Sequence, residues 1–171
     1  GWPTWRAAYP GWSWAAPDRW HLTLAFLGEL SSGQRHRLAE RLEPIAAATP
    51  PFAARLSGSG AFPSAARARV LWVGVDSAHL AAVATTVRAA ATDARIALDG
   101  KPFRPHITIA RSRRDAPPSD VPHLLRKLSV AEGASWEVGR IVLLESSGGP
   151  RPAYTELATW QLTGLIGHAE L

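Results

Sequence analysis

With 171 residues, 46% of them hydrophobic and 19% charged, the chain has enough apolar material for one globular domain with a true core, which excludes a disordered segment. Apolar runs at 70–75 and 141–144 stop far short of the roughly 18 residues of a membrane span, and the start lacks a signal-peptide pattern, so a cytoplasmic protein is expected. The absence of Cys excludes disulfides, thiolate zinc sites and cysteine nucleophiles, while a formal charge of +5, with seventeen Arg among nineteen basic residues, is compatible with an anionic ligand.

The first twenty residues carry Trp2, Trp5, Trp12, Trp14 and Trp20 among Pro3, Pro10 and Pro17, which reads as irregular, aromatic-anchored chain lying over the rest. From Trp20 the segment WHLTLAFLG alternates as a strand, with His21, Thr23 and Ala25 on one face and Leu22, Leu24 and Phe26 on the other, ending at Gly28. A helix is predicted over 32–48, capped by Ser31 or Ser32, packed through Leu38, Leu42 and Ile45, and closed by Pro50 and Pro51. Residues 52–56 and 70–75 read as strands flanking SGSGAFPS, and 77–94 as a second helix with Leu80, Val83 and Val87 inward.

After Pro102, RPHITIAR is a third strand with His106, Thr108 and Ala110 on one face. A basic, Pro-rich loop (RSRRDAPP), a short helix near 119–128 and two late strands, 135–146 and 155–162, complete the chain. This order predicts one α+β domain over residues 1–171, with largely antiparallel sheet and no internal linker.

The chemistry lies in a repeat: HLTLA at 21–25 and HITIA at 106–110. Six His and ten Thr give about 0.35 His-x-Thr triplets by chance, so two copies with matching flanks carry information. Residues i and i+2 share a strand face about 6.6 Å apart, so each strand offers an imidazole beside a hydroxyl, and two such strands form a cleft. A lone strand His is more often a hydrogen-bonded structural residue, but a matched pair can serve as base and acid near neutral pH. Thr hydroxyls and an Arg suit phosphoryl oxygens. His36, His79, His123 and His168 lack ligand spacing, so no metal is expected, and neither a dinucleotide fingerprint nor a Walker pattern occurs.

With WHLTLAFLGEL (20–30), GAFPS with RVLWVGV (60–75), FRPHITIAR (103–111) and LLESSGGPRPAYTEL (143–157), the sequence resembles the 2H phosphoesterases, in their RNA 2′,3′-cyclic phosphodiesterase branch, also called 2′-5′ RNA ligase-like. The resemblance implies a bilobal fold with two mainly antiparallel sheets, pseudo-twofold symmetry about a central cleft, and helices outside. It implies hydrolysis of RNA or nucleoside 2′,3′-cyclic phosphates to 2′-phosphates without metal or cofactor, with weak 2′-5′ ligation as the reverse. On that reading His21 is the general acid, His106 the general base, and Thr23 and Thr108 hold the phosphoryl oxygens. Arg111 joins them only if a bend or bulge breaks strand parity, which otherwise sets it opposite His106.

Phe62 and Trp20 are candidates to stack a base, or core residues. The family's usual apolar first strand has no counterpart before Trp20, so that strand is expected to be missing or divergent. A monomer acting on RNA or nucleotide, away from membranes, is expected. Other small cyclic phosphates, 2′-5′ oligonucleotides, and an RNA-end-binding module using Arg111, Arg113 and Arg114 are the alternatives.

Overall fold

Among the described residues every strand pairing is antiparallel. β1 (Trp12–Trp14), β2 (Phe52–Phe62), β3 (Val70–Asp76), β4 (His106–Ser112) and β5 (Ser135–Val138) form one sheet in the order β1-β4-β3-β2-β5, and β6 (Arg140–Ser146) and β7 (Tyr154–Gln161) form a second. The computed structural model describes residues 7–113, 120–129, 133–148 and 153–165. Trp2, Pro3, Trp5, Arg114, His168 and residues 149–152 of the late loop lie outside these.

Helix α1 (Ser32–Ala48) starts where the sequence places it: the Ser31 hydroxyl accepts from the Gln34 amide at 3.2 Å, and the Gln34 side chain accepts from the Ser31 amide at 3.0 Å. It buries Leu38, Leu42 and Ala46 and packs against β7 and against α2 (Leu80–Asp93), whose Leu80, Val83 and Val87 face inward. Helix α3 (Val121–Leu128) packs under β2 through the buried Leu124. In β3 the period-2 pattern sends Leu71, Val73 and Val75 into the core and leaves Val70 and Trp72 half-buried on the other face. One sheet face is thus covered and the other stays open to carry a site.

Four expectations are corrected. The chain before Trp20 is not wholly irregular: Trp12 and Trp14 form a short edge strand on β4 and bury both indoles at 1% and 4% exposure, a pairing the surrounding prolines hid. WHLTLAFLG is not a regular strand. Among the described residues it makes one antiparallel bridge, Leu22 to Ile107, because alternation fixes which side chains share a face but not how many partners the backbone finds. SGSG belongs to β2 and not to a loop, since Gly58 at φ +68° takes up a register shift between Leu56 and Ser59. The single strand expected over 135–146 is two, parting at Gly139, and its halves belong to different sheets.

Candidate active site

The Leu22–Ile107 bridge sets the geometry of the two His-x-Thr segments. Carried one residue to either side, an antiparallel register about this bridge would set His21 across from Thr108 and Thr23 across from His106. In that register the two histidines take one diagonal of the quartet and the two threonines the other, and diagonal neighbours on such a pair stand about 7–8 Å apart. Among the described residues neither Thr hydroxyl is taken up by an internal hydrogen bond.

Both imidazoles are anchored alike. His21 Nδ1–H donates to the Arg19 carbonyl at 2.9 Å, and His106 Nδ1–H donates to the Arg104 carbonyl at 2.6 Å. A carbonyl can only accept, so in each neutral ring the proton sits on Nδ1 and Nε2 keeps its lone pair for chemistry. The repeat therefore reads Arg-x-His-x-Thr-x-Ala, at 19–25 and 104–110. The carbonyl of its first residue does the work, which is why side-chain spacing did not reveal it.

The position of Arg111 follows from the ladder between β3 and β4. Gly74 opposes His106, Trp72 opposes Thr108, and then Leu71 opposes Ala110 and Val70 opposes Arg111, so Ile109 is an extra residue on β4. Ile109 and Ala110 are accordingly both buried in succession. This bulge restores Arg111 to the open face. His106, Thr108 and Arg111 thus oppose every second residue of β3, at intervals of about 6.8 Å. Strand parity alone had set Arg111 on the wrong face.

Aromatic rings frame the histidines. Tyr154, at the start of β7, meets His21 edge to face at 4.6 Å between centroids. Phe62 meets His106 at 5.0 Å and 79°, and Trp72 stands 6.0 Å from the same imidazole. Neither Tyr154 nor Trp72 was singled out from sequence, because each reaches its histidine only through pairing between distant segments. Trp20, the other candidate for stacking, donates its indole N–H to the Ala15 carbonyl at 3.2 Å and is 38% exposed.

Of the remaining histidines, His36 pairs with Glu40 at 3.4 Å on an exposed helix face, and among the described residues no three potential metal ligands gather. A cavity of about 390 Å³ lies on the core side of the bridge, between Leu22, Leu24, Phe52, Val83, Ile107 and Ile141. Trp20 and His21 also line it. Its walls are too apolar to hold a phosphoryl group, so the open face is the better candidate site.

Two imidazoles anchored through Nδ1, each next but one to a threonine hydroxyl, with an arginine farther along one strand, are groups suited to acid–base chemistry on a phosphoryl group, carried on an antiparallel α+β fold. Residues 2–150 match the family model of the 2′-5′ RNA ligase superfamily, and the chain belongs to that superfamily.

Proteins named RNA 2′,3′-cyclic phosphodiesterase are similar to it. The one from Aquifex aeolicus is 34% identical over 88% of this chain and 82% of its own length. The one from Thermus thermophilus is 35% identical over 95% and 81%, and the one from Geobacillus stearothermophilus 35% identical over 89% and 48%, so the chain spans about half of that relative. Among solved structures, a protein of Thermus thermophilus superposes with a TM-score of 0.77 at 32% identity, covering 92% of this chain and 85% of its own. Escherichia coli LigT, solved with 3′-AMP, gives 0.71 at 29% identity, covering 94% and 88%.

Proposed function

We propose that the protein hydrolyses RNA or nucleoside 2′,3′-cyclic phosphates to 2′-phosphates by a two-histidine mechanism that uses no metal. The observation that carries this is the bridge between the two motifs, each of which holds its imidazole alike through Nδ1–H to a backbone carbonyl. A cyclic phosphate seated between them has one imidazole on each side of phosphorus, as in-line displacement requires.

In this mechanism His106 Nε2 takes a proton from water, the water oxygen bonds to phosphorus, and the P–O3′ bond breaks. His21, protonated at Nε2, gives its proton to the departing 3′ oxygen. The product carries a 2′-phosphate and a free 3′-hydroxyl, and the two histidines end with their protonation states exchanged. Thr23 and Thr108 donate to the non-bridging oxygens, and the Arg111 guanidinium offsets their charge. With a 5′-hydroxyl in place of water, the same groups in the same roles give weak 2′-5′ ligation: His106 takes the hydroxyl proton, O5′ bonds to phosphorus, P–O3′ breaks and His21 protonates O3′, a path that hydrolysis outruns in water. On this reading residues 1–171 act as one bilobal catalytic domain, monomeric and cytoplasmic. Among the described residues no helix is long and apolar enough to cross a membrane.

The names of the relatives support an RNA end as substrate. Another small cyclic phosphate or a 2′-5′ oligonucleotide would use the same groups, and a module that only holds RNA ends would keep its affinity without His21. Turnover of a nucleoside 2′,3′-cyclic phosphate in EDTA, with the product regioisomer identified, separates these readings. Formation of the 2′-phosphate, lowered about 10²- to 10⁴-fold or more by His21→Ala and by His106→Ala, is expected. Binding of RNA ends without turnover in any form overturns the enzyme reading.

A further inference from the structure

The two histidines share the same backbone anchor but not the same surroundings. His21 has one aromatic neighbour among the described residues, Tyr154, whereas His106 lies against a pair of rings, Phe62 and Trp72, that also touch each other at 5.4 Å. Three strands contribute to this cluster. Phe62 comes from β2, Trp72 from β3 and His106 from β4.

Residue 60 decides how the indole lies. Gly60 opposes Trp72 in the β2–β3 ladder, and a Cβ on Gly60 would run into the indole, with Cε2 only 2.6 Å away. The ring is therefore folded flat across the glycine, in space that any other residue would fill. Its Nε1 is buried without a hydrogen-bond partner, so shape rather than polar bonding holds it there.

We propose that Trp72 and Phe62, levelled by Gly60, are positioning residues that hold the His106 imidazole in its reactive plane. This rests on the reading of His106 as a reacting group. The bond from Nδ1–H to the Arg104 carbonyl fixes one atom of the ring but leaves the ring free to swing about that bond. Phe62, nearly perpendicular at 79°, and Trp72, tilted at 57°, block the swing from two directions. Nε2 is thereby aimed across the quartet. Aim matters here because a misplacement of about 1 Å at a reacting group costs on the order of 10²-fold in rate.

The test uses Gly60→Ala, which pushes the indole out of place, and Phe62→Leu, which opens the shelf from the other side. Each is measured for kcat and KM on a nucleoside 2′,3′-cyclic phosphate and for the imidazole ¹⁵N–¹H correlations of the free protein by NMR. Loss of kcat by about 10- to 100-fold with KM within about twofold is expected. The His106 ring signals should shift or broaden while those of His21 stay in place.

Adding Trp72→Phe to Gly60→Ala gives the smaller ring room to settle and should recover part of kcat. Unmoved His106 signals with unchanged kcat overturn the proposal, and so does a loss confined to KM, which would mean that the rings touch substrate instead. Should Gly60→Ala fail to fold, Phe62→Leu carries the same readouts. Should the unaltered protein fail to turn over cyclic phosphate, the functional reading falls, yet the NMR arm still decides whether the shelf holds His106.

Discussion

Arg111→Ala tests the consequence of the β4 bulge. Because Ile109 is the extra residue, Arg111 stands only two β3 residues beyond Thr108, about 6.8 Å along the same face, and an extended arginine side chain spans roughly that distance. Its guanidinium can therefore fold back over the quartet. It is exposed, and among the described residues no carboxylate pairs with it, so removing it leaves no buried charge and should barely affect stability.

A charge-assisted hydrogen bond to a phosphoryl oxygen contributes about 1.5–3 kcal/mol, which corresponds to a fall of about 10- to 150-fold in kcat/KM. Arg111→Lys keeps the charge but loses the planar fork and should recover only part of that loss. The assay is steady-state hydrolysis of a nucleoside 2′,3′-cyclic phosphate at fixed salt, with circular dichroism to confirm the fold. A loss below about twofold would refute the placement. An equal loss in Arg113→Ala would mean that the basic strand end attracts anions in general and that Arg111 has no particular contact.

Three further variants probe the scaffold. Gly74 opposes His106, and a Cβ there would strike the backbone carbonyl oxygen of Ser57, which cannot swing away as a side chain can; Gly74→Ala should cost about 1–3 kcal/mol in urea unfolding. Leu124 is 0% exposed between α3 and the sheet, so Leu124→Ala should cost about 2–5 kcal/mol by the same measurement, and a smaller value would mean that the site collapses around the gap. Ser31→Ala removes one half of the capping box of α1 and should lower stability by about 1 kcal/mol without changing kcat, because the hydrogen bonds of Ser31 and Gln34 run to each other and to the Arg95 carbonyl and not to either histidine.

The parts of this protein that depend on local pattern were legible in its residues alone. The α1 limits were legible because Ser31, the spacing of Leu38 and Leu42, and the Pro50–Pro51 stop are all local signals. The sharing of one face by His106 and Thr108 followed from the period-2 geometry of extended chain, since the two oppose alternate residues of β3, whereas the regular strand expected at His21 and Thr23 reduces to one bridge.

Tertiary pairing decided the rest. Local alternation put Arg111 opposite His106, and only the ladder with β3 revealed the extra Ile109 that turns it back. The Trp12–Trp14 strand exists because the Ala110–Ser112 edge of β4 is there to receive it, not because its Pro-flanked sequence favours a strand. Likewise, the run 135–146 carries no mark of the two sheets it serves, since sheet membership is settled by which neighbour offers free backbone groups. The contacts that frame each imidazole, Tyr154 on one side and Phe62 with Trp72 over Gly60 on the other, join residues from 34 to 133 positions apart in the chain. No local signal links residues at such separations; the folded chain alone brings them together.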